Sequence, residues 1–313
     1  MEVKRRTARS LVQRLSSVSE QTQTEAICEL RLISKHDPDS RSFIAEAGAI
    51  PYLTETLYSS STVAQENALA TLLNISISNR DVLMSTRGLL DALSHVLRLS
   101  TSTPATVQTA AATLYSLLVV DEYRPIIGAK RDIIFALVDI IRNSNSPARS
   151  IKDALKALFG ISLYPLNRAT MVELGAVPAL FSLVVKDGRI GVVEDATAVI
   201  AQVAGCFESG DAFRKLSGVG ILVDLLDPTT GSTVRVRENA VSALLNLVQC
   251  GGEKVVEDIR EMGTGVLDGI AEVAKDGSAK AKGKASMLFN VLDRGGFNGV
   301  RDPRFGFVLE QAA

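Results

Sequence analysis

The side chains of this 313-residue protein best suited to nucleophilic, acid–base or metal chemistry are few: His36, His95, Cys28, Cys206 and Cys250. Nucleophilic catalysis needs a hydroxyl or thiol held beside a base that a third group orients. His36 falls in a predicted loop and His95 alone on a predicted helix, where an isolated imidazole reads as packed or solvated. The cysteines are far apart and odd in number, so they give neither a disulfide framework nor a zinc spacing and fit a reducing compartment. Gly263-Thr264-Gly265 lacks the strand that a dinucleotide loop requires and reads as a helix-ending bend. Glu194-Asp195 reads as a first-turn pair favoured by the helix dipole. No Gly-x-Ser-x-Gly elbow or phosphate loop is present. Neither a catalytic residue, nor a metal ligand, nor a cofactor follows. What does recur is amide and hydroxyl chemistry. One series runs Asn74, Ser116, Gln202, Asn246 and Asn290; another runs Asn67, Thr109, Asp153, Asp195 and Asn239, with Lys156 as a lone base. An Asn amide offers donors and an acceptor, which is what an extended peptide backbone needs for pairing.

Both series keep their phase because one helical pattern returns along the chain. Anchored on Ala26, Ala68, Ala110, Ala154, Ala196, Ala240 and Lys284, its successive gaps are 42, 42, 44, 42, 44 and 44 residues. A helical period near 40–47 points to an armadillo or HEAT solenoid, in which each repeat buries its apolar face against its neighbours. Each unit divides into a short helix, a glycine bend and two longer helices, the armadillo arrangement. Gly48, Gly88, Gly175, Gly218 and Gly263 read as left-handed bends, and Pro51 and Pro178 as helix starts. Thr62 with Gln65 has capping-box spacing. The third helix carries the anchor and spans about 13 residues, roughly 20 Å. Arg124-Pro125-Ile126-Ile127-Gly128 predicts an irregular short helix, and the first unit begins near Ala8 without one. The expected fold is all-α: a right-handed superhelical armadillo solenoid of about seven three-helix repeats over residues 1–293, with atypical ends and a Gly- and Arg-containing tail at 294–313.

Helical phase puts Ala68, Leu69, Leu72 and Ile75 on one stripe and Asn67, Ala70, Thr71 and Asn74 on the other. The second stripe is the expected groove. At 8–10 Å per packed helix, seven units give roughly 60 Å, enough for an extended segment of up to roughly 18 residues. Substituting Asn74 and Asn246 is expected to weaken binding with folding intact, whereas Leu72 and Leu244 belong to the core.

Composition agrees with this reading. The chain is 46% hydrophobic but 5% aromatic, without Trp, as suits helices packed through Leu, Ile, Val and Ala. A net charge of −1 argues against generic nucleic-acid binding, which needs a concentrated basic surface. Lys4, Arg5, Arg6, Arg9 and Arg14, and Lys280, Lys282 and Lys284, read as solvated faces. No apolar run approaches the roughly 18 residues of a membrane span. The N-terminal segment, with Gln13, Arg14, Ser16 and Ser17 among its apolar residues, is no signal peptide. A cytoplasmic or nuclear protein is expected, with no membrane insertion.

Glu29-Leu30-Arg31-Leu32-Ile33-Ser34-Lys35, Arg41 to Leu53 (with Glu46-Ala47-Gly48-Ala49-Ile50-Pro51) and Glu66-Asn67-Ala68 to Asn74-Ile75-Ser76 carry a closer likeness. They resemble the armadillo region of plant U-box ubiquitin ligases, over essentially the whole chain. The resemblance implies an array that selects a protein substrate or receptor-type partner, while a U-box outside this chain recruits the ubiquitin-conjugating enzyme. No segment here resembles a U-box, so the expectation divides between the recognition part of a ligase and an armadillo-only adaptor or scaffold in signalling. Importin-type armadillo proteins clamp basic signals with Trp four residues before Asn. Here Ala70, Ser242 and Ser286 hold those places, which leaves no indole faces for cations.

Overall fold

A computed structural model describes residues 1–263 and 265–293, so the predicted tail at 294–313 lies outside the described residues. The chain divides into two compact units, Met1–Tyr164 and the part from Pro165 onward. The first unit opens with a two-helix repeat, α1 (Glu2–Leu15) and α2 (Glu20–His36). Three full repeats follow: α3 (Ser40–Glu46), α4 (Ala49–Thr56) and α5 (Thr62–Ser76); α6 (Arg80–Ser85), α7 (Leu89–Arg98) and α8 (Pro104–Leu117); α9 (Tyr123–Gly128), α10 (Arg131–Arg142) and α11 (Ala148–Ser162). The second unit holds α12 (Asn167–Glu173), α13 (Ala176–Lys186) and α14 (Ile190–Val203); α15 (Ser209–Lys215), α16 (Gly218–Asp224) and α17 (Val234–Gly251); α18 (Glu253–Arg260), α19 (Gly265–Asp276) and α20 (Ala279–Asp293). Among the described residues there is no strand. The repeat is the three-helix unit read from the sequence, with its third helix longest, although α15 and α16 are equally short at 7 residues each. Two boundaries move. The first helix starts at Glu2 rather than near Ala8, and third helices run 14–18 residues, longer than expected.

Gly48, Gly88, Gly175 and Gly263 adopt the left-handed backbone, with φ of 86°, 82°, 82° and 90°. Gly218 does not. Ser217 takes that conformation instead, at φ 53°, and Gly218 opens α16. Its lack of a side chain serves packing, because a Cβ there would meet Phe181 Cζ at 2.8 Å and Phe213 O at 3.1 Å. In the fourth repeat Gly128 is buried inside α9 and the chain turns at Lys130, the irregularity expected from its displaced glycine.

Helix α5 is capped differently from the reading above. Ser61, not Thr62, is the cap, accepting from Ala64 N at 3.3 Å, while Gln65 Nε2 donates to the Leu57 carbonyl at 2.8 Å. Ser61→Ala is therefore expected to cost about 1 kcal/mol, read as a lower denaturant midpoint with an unchanged slope; Thr62→Ala should leave the midpoint in place.

Third helices stack on one another within each unit, α2 on α5, α5 on α8 and α8 on α11, then α14 on α17 and α17 on α20. Ala26, Ala68, Ala110, Ala154, Ala196 and Ala240 are fully buried, small enough for backbones to approach between larger Leu, Ile and Val side chains. The seventh anchor differs. Lys284 is half-buried, its Nζ donates to Ser242 Oγ at 3.0 Å, and burial pushes its ammonium pKa down. Ala285 takes the fully buried place on α20.

Candidate protein-interaction face

The two polar series lie on the third helices, and the structure spends most of them between repeats. Asn67 is buried; its Nδ2 donates to Val63 O at 2.7 Å and its Oδ1 accepts from Arg31 Nη1 at 2.9 Å. Asn74 Nδ2 donates to Ser34 Oγ on α2 at 3.1 Å. Ser116 Oγ accepts from Ser76 Oγ on α5 at 2.8 Å, and Thr109 Oγ1 turns back on Ala105 O at 2.7 Å. Asp153 accepts from Gln108 Nε2 on α8 at 2.9 Å and pairs with Lys156 at 3.3 Å. In the second unit Gln202 Oε1 accepts from Arg168 Nη2 at 3.3 Å, and Asp195 lies 3.9 Å from Arg235. Asn239 Nδ2 donates to Glu194 O and Thr197 Oγ1, and Asn246 Nδ2 to Ala201 O at 2.7 Å, all on α14. Asn290, on α20, is half-buried. Thr71, placed by phase on the outer stripe, is fully buried and bonds Asn67 O.

Folding is consequently not indifferent to these amides. Ala201 O is a carbonyl at the end of α14, where no intrahelical donor remains, since Gly205 N bonds Gln202 O instead. Asn246→Ala is expected to cost about 1 kcal/mol of stability, measurable by chemical denaturation. This replaces the expectation of intact folding.

Sequence reasoning missed the residues that finish the third helices. Arginines of the short helices reach to the carbonyls at those C-termini: Arg41 Nε to Ser34 O at 2.8 Å, Arg80 Nε to Ser116 O at 2.8 Å and Arg124 Nε to Leu118 O at 3.2 Å. Arg168 Nη1 reaches Gly205 O at 3.1 Å and Arg260 Nη2 reaches Leu292 O at 2.8 Å. A cation there satisfies orphan carbonyls and meets the negative end of the dipole. Near the other end, Glu66 accepts from Thr103 Oγ1, Glu194 from Thr233 Oγ1 and Glu238 from Ser278 N, so a carboxylate of one third helix holds the cap of the next. Glu194 thus lies in the second turn of α14 as a clasp, not in the first turn as a dipole partner. The recurring Arg and Glu were visible in the sequence; their targets lie on other helices, the preceding third helix for Arg41 and Arg124 and the third helix of the same repeat for Arg80, Arg168 and Arg260, which periodicity does not reveal.

The stripe left open runs along i, i+7 and i+14 of each third helix. In the first unit it reads Gln21, Cys28 and Lys35 on α2; Val63 and Ala70 on α5, with Ile77 just past its end; Ala105 and Ala112 on α8, with Val119 in the turn after it; Arg149 and Lys156 on α11, with Leu163 just past its end, all exposed or half-buried. In the second unit it is small or polar: Gly191, Ala198 and Gly205, then Arg235, Ser242 and Gln249, then Ala279, Ser286 and Asp293. His36 is exposed, and His95 is half-buried with its ring 4.8 Å from Tyr58. All three cysteines are free thiols, and burial raises that of Cys206. Among the described residues no group of His, Cys, Asp and Glu is placed to hold a metal, and no single helix is long and apolar enough to cross a membrane.

A family model described as the plant U-box protein ARM repeat region matches residues 8–294. U-box domain-containing protein 16 of Arabidopsis thaliana is 33% identical over 273 residues, covering 86% of this chain and 38% of its own length. U-box domain-containing protein 17 of the same plant is 32% identical over 311 residues, covering 98% and 41%. The chain therefore spans about two-fifths of these relatives. Among solved structures, computationally designed armadillo repeat proteins for modular peptide recognition superpose with a TM-score of 0.64 at 23% identity, covering 76% of this chain and 98% of theirs. With the fold, the repeat and the match in agreement, the chain belongs to the armadillo-repeat region of the plant U-box protein family.

Proposed function

We propose that this chain is the recognition array of a U-box ubiquitin ligase, docking a substrate or receptor-type protein on the third-helix faces while a U-box outside it engages the ubiquitin-conjugating enzyme. The observation that carries the reading is the open stripe on successive third helices, in a chain of this family. The predicted polar residues Asn67, Asn74, Thr109, Ser116, Asp153, Asp195, Gln202, Asn239, Asn246 and Asn290 border that stripe and set its shape; Lys156 stands on it. In this reading the chain supplies binding energy and no catalytic group, needs no cofactor, and works in the cytoplasm or nucleus, where its thiols stay reduced.

The test starts from the native polypeptide, captured from its own cells with an antibody to this chain. The expected species is heavier than 33.4 kDa and modifies itself when supplied with activating enzyme, conjugating enzyme and ubiquitin. Charge reversals on the third-helix stripe should spare that self-modification and abolish transfer to co-captured proteins. A native species of 33.4 kDa without ubiquitin transfer would assign the chain to the armadillo-only adaptors instead.

A further inference from the structure

The open stripe of the first unit is sorted by chemistry. Its middle, on α5 and α8, is apolar and small: Val63, Ala70 and Ile77, then Ala105, Ala112 and Val119. Val63, Ile77 and Val119 are 54%, 50% and 53% exposed, Val63 on α5 and the other two just past the ends of α5 and α8, beside a fully packed core. Leu32 on α2 extends the strip at 57% exposure. Its two ends are basic. On α2 the stripe finishes at the exposed Lys35, beside Arg31; on α11 it carries the exposed Arg149 and half-buried Lys156. Of the carboxylates nearby, Glu25 and Glu29 are engaged by Arg14, Glu66 accepts from Thr103, and Asp153 accepts from Gln108 and pairs with Lys156, so the base that the α11 end carries forward is Arg149. Glu20 is exposed, but at the opposite end of α2 from Lys35. The equivalent stripe of the second unit has neither the apolar middle nor paired basic ends.

We propose that the first unit's third-helix face selects a protein segment with an apolar centre and acidic residues at both ends. This rests on the docking function proposed above and names its partner chemistry. From α2 to α11 are three helix steps of 8–10 Å, about 24–30 Å; Lys35 ends the stripe of α2 whereas Arg149 begins that of α11, an axial offset of about 21 Å, so the diagonal between them is roughly 32–37 Å. An extended chain at about 3.3 Å per residue crosses that diagonal in roughly ten to eleven residues. The apolar centre lies over α5 and α8, where burying exposed Val and Ile favours association. The acidic ends then meet Lys35 with Arg31 on one side and Arg149 on the other, where Lys156 is shared with Asp153. Apolar contact supplies affinity, and the two basic ends reject basic segments and fix placement.

The test uses the whole chain and a displayed library of random peptides of about twelve residues, with selected sequences remade and titrated by fluorescence anisotropy. Selected peptides should carry Asp or Glu at both ends and apolar residues between. Ile77→Asp and Val119→Asp should each weaken them at least about tenfold. Lys35→Glu with Arg149→Glu, at exposed positions that leave the core untouched, should turn the selected ends from acidic to basic and carries the test alone if the Asp variants misfold. Selected peptides that are basic or lack an apolar centre, yet lose binding on third-helix substitution, would overturn this proposal and leave the docking function standing. Peptides indifferent to every third-helix substitution, or no enrichment at all, would overturn both.

Discussion

Leu72→Ala is expected to destabilise the first unit by about 2–5 kcal/mol. Leu72 is fully buried on α5 among Ala68, Leu69 and Ile75, also fully buried, and α5 is packed on α2 and α8. Truncation removes apolar surface from burial and leaves a cavity that close-packed helices close only in part. In a compact globular domain such a loss lowers one global transition. In a stack, each repeat is held by its neighbours, so the weakened interfaces are α2–α5 and α5–α8 together. Amide exchange should therefore lose protection in α2, α5 and α8 by similar factors. A loss confined to α5, or a change below about 1 kcal/mol, would mean that the site relaxes or that the repeat is locally autonomous. Leu244, fully buried on α17, should behave likewise toward α14 and α20.

The repeat was legible because its causes are local. Apolar residues at helical spacing, Gly at bends and Pro in first turns each act within a turn or two, and they recur often enough to fix the phase. Gly218 shows where locality ends. By position it matched the other bend glycines, but Phe181 crowds it from another helix, and the left-handed residue moved to Ser217. The candidate face was half legible for the same reason. Helical phase placed Asn67, Asn74, Asn239 and Asn246 off the core stripe, yet phase about one helix axis does not say whether water or the next repeat meets the amide. Neighbouring repeats take Asn74 and Asn246, and Asn67 is buried beneath Arg31. The positions truly open, Val63, Ile77 and Val119, look in the sequence like more core. Only the stack shows that their side has no neighbour within the first unit.

Arg80→Ala is expected to cost about 1.5–3 kcal/mol, more than an exposed arginine on a surface helix should. Arg80 is half-buried and donates from Nε to Ser116 O at 2.8 Å, at the C-terminal end of α8. That carbonyl has no donor four residues on, so removing the guanidinium strands it and also removes a cation from the negative end of the helix dipole. Ser116 links in turn to Ser76 on α5, so the arginine holds the point where two repeats meet. Lysine tests the geometry, because its ammonium keeps the charge without the guanidinium's planar set of donors. If the bond to the carbonyl matters, Arg80→Lys should recover only part of the loss; full recovery would assign the effect to the dipole alone. Arg124, on Leu118 O, and Arg260, on Leu292 O, predict the same partial rescue. An array whose third helices are finished by arginines from the short helices couples each open stripe to the helices behind it. Stiffness of the open face is then set by residues that do not lie on it.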